Sequence, residues 1–242
     1  MTEDTGYYAR QAQYYDAIYE SQGKDYQQEA QTLRAIIDAH RQAAGDTLLD
    51  VACGTGGHLT FLREWYRVEG LDMDAHMLRV AGLRFPDLAF HQADMTAFDL
   101  GRQYDIVTCL FSAIGYVQTV DRLRQAIGCM SSHLQPGGVL AVEPWFAPQQ
   151  WRTGLVHATF VDQPGLKIAR MSVSERRDDI AVINFHFLVA TPEGVETFSE
   201  LHELGLFTHQ QYLEAFTLAG LSPNYDPQGI TGRGLYIGVK AT

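Results

Sequence analysis

Residues 48–59 constrain the fold more tightly than any other stretch, because they join an apolar strand to a helix through a turn with almost no side chains. Leu48 to Ala52 reads as a buried parallel strand. Gly54, Gly56 and Gly57 permit positive φ and close approach, and residues 58–65 have the apolar spacing of a helix. A strand, a glycine turn and a helix in this order suit a nucleotide-like ligand. The same glycines in a plain tight turn need no ligand, and Asp72 weighs against that reading. It ends a second apolar run, residues 68–71, and stands 22 positions after Asp50, where an acidic residue at a strand tip can accept from both hydroxyls of a ribose.

The turn is not built for phosphate. It lacks the Gly-Lys-Ser/Thr ending that serves phosphates and magnesium, since its helix opens Gly57-His58-Leu59. It also lacks the Gly-x-Gly-x-x-Gly spacing that admits a pyrophosphate to a helix N-terminus. The expected ligand is a nucleoside without a phosphate.

Along the chain, residues 7–20 and 25–43 read as helices. Strands over 47–52, 66–72, 88–92, 104–110 and 138–143 then alternate with helices over 57–65, 74–84 and 119–133. This repetition predicts a parallel sheet covered on both faces. Gln135-Pro136-Gly137-Gly138 punctuates the chain before the fifth strand. After Pro144 the period changes: residues 155–161, 166–174, 180–190 and 195–207 read as four antiparallel strands with tight turns between them. Thr208 is placed to N-cap a helix over 209–219, Gly220 to end it, and residues 234–240 to form a closing strand.

With 46% apolar residues the 242-residue chain can bury a full core, and one domain is expected. Three cysteines without close pairing predict neither disulfides nor zinc, and nine scattered histidines predict no metal site. A net charge of −11 disfavours a nucleic-acid partner, although single cations such as Lys24 and Arg233 can act locally on a small anionic substrate. Residues 1–10 are polar with no apolar h-region, and no run approaches the ~20 apolar residues of a membrane span. A cytoplasmic protein without a membrane partner is expected. The inserted strands have two compatible uses, as a dimer surface and as a wall of the substrate pocket. Apolar residues on both faces of 182–188 predict that each face is covered, and a homodimer is expected.

The pattern Asp50-x-Ala52-x-Gly54-x-Gly56 resembles the first motif of class I methyltransferases, with Ala52 in place of the commonest first glycine. His91-Gln92-Ala93-Asp94-Met95 and the apolar run 104–110 agree with it, as does Pro136-Gly137-Gly138. The resemblance implies an α/β fold with a doubly wound, mainly parallel seven-stranded sheet, an N-terminal helical lid and an inserted antiparallel β-sheet. In segments, these are a lid over 1–45, a cofactor-binding core over 46–150, the inserted sheet over 151–207, and a last helix and strand over 208–242. It also implies S-adenosyl-L-methionine as cofactor. From the turn and the first strands it would be held by Asp50, Ala52, Gly54, Gly56, His58, Asp72, Met73 and Met77. Asp94 would accept from the adenine amino group beside Met95, with Leu110 and Phe111 under the reacting centre and Tyr15 and Tyr26 in the lid.

Over residues 14–239 the chain resembles the N,N-dimethyltransferases of nucleotide-linked deoxyamino sugars, the desosamine and mycaminose pathway enzymes. Tyr15-Asp16, Gly23-Lys24-Asp25-Tyr26, Phe111-Ser112 with Gly115-Tyr116, Val142-Glu143-Pro144-Trp145 and Gly232-Arg233-Gly234-Leu235 carry this resemblance. It implies a small-molecule substrate, a dTDP-sugar, met by Lys24, Ser112, Tyr116, Glu143, Trp145 and Arg233, with Tyr15 and Tyr116 aligning the amine or accepting its proton through water; from the residues alone, Glu143 equally suits a structural ion pair and Trp145 a place in the core. The chain departs from some members in Tyr116, where they carry histidine, and from several in Phe146, where they carry a second tryptophan. The expected reaction is in-line attack of a neutral amine on a sulfonium methyl group, driven by orientation more than by a strong base. An oxygen acceptor, the first alternative, needs a positioned base, and the sequence shows no histidine near residues 110–115. A non-catalytic cofactor-binding module is the second.

Overall fold

The computed structural model describes residues 10–242. Its centre is a seven-stranded sheet. The strands are β1 (Thr47–Val51), β2 (Arg67–Asp72), β3 (Ala89–Gln92), β4 (Tyr104–Cys109), β5 (Leu134–Val142), β10 (Leu221–Asp226) and β11 (Leu235–Lys240), in the order β10-β11-β5-β4-β1-β2-β3. The neighbours from β5 to β3 all pair parallel, and β11 runs antiparallel to both β5 and β10. Residues of β1 and β4 are buried almost without exception, which is why they read as continuous apolar runs rather than alternating ones.

Helices cover both faces. On one side α5 (Val120–Ser132) and α6 (His209–Leu218) enclose Val107, Leu140 and Tyr236. On the other, α2 (Tyr26–His40) and the short α3 (Leu59–Leu62) pack on Leu48, Ile106 and Ile237. Asp25 caps α2, Asp74 caps α4 (Ala75–Arg84), Thr119 caps α5, and Thr208 with Gln211 forms a capping box on α6.

Four details differ from the sequence reading. The helix expected over 7–20 is, within the described residues, a 3-10 turn, Gln11–Tyr14, followed by α1 (Tyr15–Glu20); its first residues lie outside them. The helix over 57–65 shrinks to α3, with turns on either side. Gln135 to Gly138 is a bulge within β5, with Gly137 at φ +75° and its carbonyl accepting from Gln42 and Ala43. Edge strand β10 was not foreseen. The sequence reading assigns no element between Gly220 and residue 234; β10 carries Pro223, and an edge position is where a sheet tolerates proline.

The insertion is a meander of β6 (Val156–Gln163), β7 (Leu166–Arg177), β8 (Ile180–Thr191) and β9 (Gly194–Gly205), paired in chain order. Its inner face packs Val161, Ile168, Phe187 and Val189 on Ile18 of α1, which joins lid and insertion into one wall. Its outer face leaves Val156, Phe160, Met171, Val173, Leu188 and Leu201 exposed. The expectation that both faces are covered therefore fails within one chain. No helix among the described residues is long and apolar enough to cross a membrane.

Candidate cofactor and acceptor site

The parallel register of β1 and β2 pairs Val51 with Leu71, so Asp72 emerges beside the glycine turn. Its Oδ2 accepts the Gly54 N–H at 2.8 Å and its Oδ1 accepts the Asp74 N–H at 2.9 Å. Each oxygen keeps a further acceptor site. Burial pushes the carboxyl up to about 6, against the opposing pull of these two N–H donors. Gly54 stands at φ +56°, and a Cβ built on it meets nothing within 4 Å, so a side chain there would project into the cavity that Gly54 lines. The cradle fits a ligand lying against bare main chain. Gly56 serves packing instead, because a Cβ there would lie 2.9 Å from the Phe85 ring. Ala52, at φ +58°, holds with strain a conformation glycine adopts freely.

A cavity of about 660 Å³ extends from this turn to the inserted sheet. Of the residues expected to touch cofactor, Tyr15, Ala52, Gly54, Asp72, Met73, Met77, Met95, Leu110 and Phe111 line it. Tyr26, Asp50, Gly56, His58 and Asp94 do not. Asp50 is buried under the turn, accepting from Thr108 Oγ1 at 2.7 Å, and burial lifts it to about 6. Asp94 accepts from Thr96 and from Arg122 at 2.9 Å, while its neighbours Ala93 and Met95 face the cavity.

Tyr26, His58 and Lys24 form a latch between lid and turn. Tyr26 lies over Gly57, where a Cβ would come within 2.6 Å of its ring, and edge-on to His58. Glu29 bridges Lys24 Nζ at 2.6 Å and His58 Nε2 at 2.8 Å. Burial raises the Glu29 carboxyl, but these two partners outweigh it and hold it below its ordinary range. Burial in turn lowers Lys24, whose Nζ sits 3.7 Å from the centroid of Phe111. Lys24 is thus committed to Glu29 and does not line the cavity, which corrects its assignment to substrate. Asp16 adds a second latch, accepting from Thr55 Oγ1 at 2.7 Å and pairing with Arg84.

Beyond β4, Phe111 and Ser112 both have positive φ, 53° and 61°. Glu143, fully buried, holds this turn: its Oε2 accepts the Phe111 N–H at 2.6 Å and its Oε1 accepts from Thr231 Oγ1. Ser112 Oγ donates to the Pro144 carbonyl at 2.7 Å and accepts from Arg233 at 2.9 Å. Glu143 and Ser112 therefore brace the wall without lining it, which for Glu143 is the structural one of its two sequence readings and for Ser112 differs from its assignment to substrate. Tyr116, Trp145 and Arg233 do line it.

The insertion supplies groups that sequence reasoning missed. Arg170, Ser172 and Ser174 stand at alternate positions of β7, and His202 on β9, all lining the cavity and all buried. Arg170 is 6% exposed, forms no ion pair among the described residues, and lies over the rings of Phe185 and Tyr19. The Tyr116 hydroxyl and His202 Nδ1 are 2.6 Å apart, although 86 residues separate them. The absence of a histidine beside residues 110–115 in sequence is thus made good by one from the insertion. An inverted alternation was the available signal. In β7 and β9 the polar residues Arg170, Ser172 and His202 face inward while Met171, Val173 and Leu201 face out.

A family model described as a methyltransferase domain matches residues 48–138. The dTDP-3-amino-3,6-dideoxy-alpha-D-glucopyranose N,N-dimethyltransferase of Streptomyces fradiae is 43% identical, over 94% of this chain and 90% of that protein. The crystal structure of DesVI from Streptomyces venezuelae is 40% identical and superposes with a TM-score of 0.91, covering 96% of this chain and 99% of that one. SAM-bound CalS10, an amino pentose methyltransferase from Micromonospora echinaspora, is 38% identical with a TM-score of 0.85, covering 94% and 97%.

Proposed function

The chain belongs to the family of nucleotide-linked amino-sugar N,N-dimethyltransferases, and from that premise we propose that it methylates the amino group of a dTDP-linked deoxyamino sugar with S-adenosyl-L-methionine. One observation carries the reading: a single cavity runs from the nucleoside cradle at Gly54 and Asp72 to a wall bearing two arginines, Arg170 and Arg233. A cradle without a phosphate-binding turn suits the adenosyl group, and two cations in a chain of net charge −11 suit a diphosphate.

Asp72 would accept from the ribose hydroxyls, with Met73, Met77 and Met95 about the adenine. The cofactor supplies an electrophilic methyl group on a positively charged sulfur. What remains for the protein is placement. Tyr15 and Tyr116 border the cavity where lid, β4 turn and insertion meet, and they align the amine. Trp145 and Arg233 hold the rest of the acceptor. Burial raises the Tyr15 phenol well above its ordinary value, so it acts as a neutral hydroxyl. Fixing both reactants in one orientation is worth several kcal/mol.

Incubation with thymidine-linked 3-amino and 4-amino deoxysugars should give products heavier by one and then two methylene units by mass spectrometry. Methylation of a phenol with no amine product would instead support an oxygen acceptor.

The reading includes a cytoplasmic, single-domain enzyme acting on a small molecule, without nucleic-acid or membrane partners. It also includes a homodimer formed through the outer face of the insertion. Phe160, 62% exposed, and Val156, 79% exposed, lie on that face with Met171, Val173, Leu188 and Leu201, and apolar side chains gathered on one exposed face support an interaction surface. Light scattering should give a dimer for wild type and a monomer for Phe160→Asp with Leu188→Asp. A monomeric wild type would exclude the dimer.

A further inference from the structure

Resting on the methyl-transfer reading above and deepening it, we infer that α1 couples the two ends of the cavity. It stays on the insertion, is fastened to the glycine turn by Asp16, and makes cofactor and acceptor each tighten the hold on the other. The helix has only six residues, yet its side chains go to three different places. Tyr15 and Tyr19, four apart and so on one face, line the cavity. Ile18 is fully buried among Val161, Ile168, Phe187 and Val189 of the insertion. Asp16 reaches the turn, where its Oδ1 accepts from Thr55 Oγ1 at 2.7 Å and its Oδ2 pairs with Arg84. Arg84 also donates to the Thr55 carbonyl at 3.5 Å. Thr55 is 1% exposed and stands between Gly54 and Gly56, so the Asp16 carboxylate grips the middle of the turn that forms the nucleoside cradle.

The two attachments of α1 are unequal. On the insertion side the burial of Ile18 is reinforced by the Gln11 N–H on Glu200 at 3.0 Å, the Tyr14 hydroxyl on Glu196 at 3.1 Å, and Gln22 Nε2 on Thr159 Oγ1 at 2.9 Å. On the turn side stand the edge of Tyr19 against Phe111, with ring centroids 4.9 Å apart, and the partly exposed Asp16–Arg84 pair with its Thr55 hydrogen bond. A partly exposed ion pair separates in water at little cost, whereas exposing buried apolar surface is costly. Opening for ligand exchange therefore runs between Asp16 and Thr55, and α1 leaves with the insertion. The acceptor wall reaches α1 as well: Arg170 lies 5.3 Å from the Tyr19 ring, and Gln22 and Thr159 both line the cavity. Closing α1 is thus a cost common to both ligands. Whichever binds first closes it, and the second meets a cavity already closed, which is positive cooperativity.

The test titrates S-adenosylhomocysteine into the 242-residue chain with and without saturating dTDP, and dTDP with and without S-adenosylhomocysteine, by calorimetry. Wild type is compared with Asp16→Ala and Thr55→Val. In wild type each ligand should tighten the other by one and the same factor, about 5- to 150-fold. Both variants should reduce that factor to below about twofold. In stopped-flow measurements dTDP should slow the dissociation of S-adenosylhomocysteine about tenfold in wild type and leave it unchanged in the variants. An Asp16 that only supports the fold would weaken S-adenosylhomocysteine equally with and without dTDP. A wild type without coupling, or either folded variant with the wild-type factor, would overturn the inference. If Asp16→Ala fails to fold, Thr55→Val decides, because it keeps the side-chain shape and removes only the hydroxyl. A wild type that binds neither ligand would instead refute the functional reading, and the coupling with it.

Discussion

Asp72→Ala should bind S-adenosylhomocysteine about 100-fold more weakly than wild type near neutral pH, a loss of roughly 3 kcal/mol. Under the proposed reading, the substitution removes the acceptor for two ribose hydroxyls. It also frees the N–H groups of Gly54 and Asp74, which the carboxylate now holds at 2.8 and 2.9 Å. Asp72→Asn keeps the shape and should recover only part of the affinity. A pH signature separates this from general damage. Burial holds Asp72 up at about 6, and ribose hydroxyls bind the ionised form, so the ligand lowers its pKa. Wild-type affinity should fall by up to about tenfold per pH unit below 6, while Asp72→Ala should show no such slope. The ligand-free protein should respond in the opposite sense. A carboxyl whose folded pKa is raised stabilises the fold below its unfolded pKa and loses that contribution as pH rises through about 6. Asp50, also raised to about 6 by burial, adds to the same trend. Calorimetry across this range checks both variants, and a pH-independent wild-type affinity would contradict the assignment.

Glu143→Ala is expected to cost about 3 kcal/mol of stability, measured by denaturant unfolding, and to abolish methyl transfer. The energy has three sources. The Phe111 N–H loses its acceptor in a buried place, the Thr231 hydroxyl loses its own, and the truncated side chain leaves a void. Without the carboxylate, the two successive left-handed residues Phe111 and Ser112 have less to hold their strain. Leu110 and Phe111 would then move, and Arg233, which donates to Ser112, with them. Glu143→Gln can still accept from the Phe111 N–H and donate to Thr231, and should lose under half as much. Equal losses in the two variants would mean that charge, not hydrogen-bond geometry, holds the turn.

The sequence was most readable where function depends on local spacing. Residues 48–59 and Asp72 specify a strand, a turn and a strand tip, and parallel register alone brings them together. The βα rhythm made the sheet legible for the same reason. Contacts between side chains far apart in the chain were not legible. Lys24 looks free before a helix, yet Glu29 claims it and ties it to His58. Glu143 at a strand end looks like a ligand group, yet it turns inward to brace Phe111. Asp94 was placed within one residue of the cavity, and its carboxylate goes to Arg122 instead. The cavity wall built by β7 and β9 was hidden because their alternation reads apolar side inward by habit, whereas here the polar side faces a cavity and the apolar side is left on the surface.

The most direct measurement is an electron-density map of the protein with S-adenosylhomocysteine and a dTDP-amino sugar bound together. The account predicts the ribose hydroxyls on Asp72, the adenosyl group against the bare main chain at Gly54, and the sugar nitrogen between sulfur and the Tyr116 hydroxyl. A nucleoside bound elsewhere, or a sugar amine directed away from Tyr116, would contradict it.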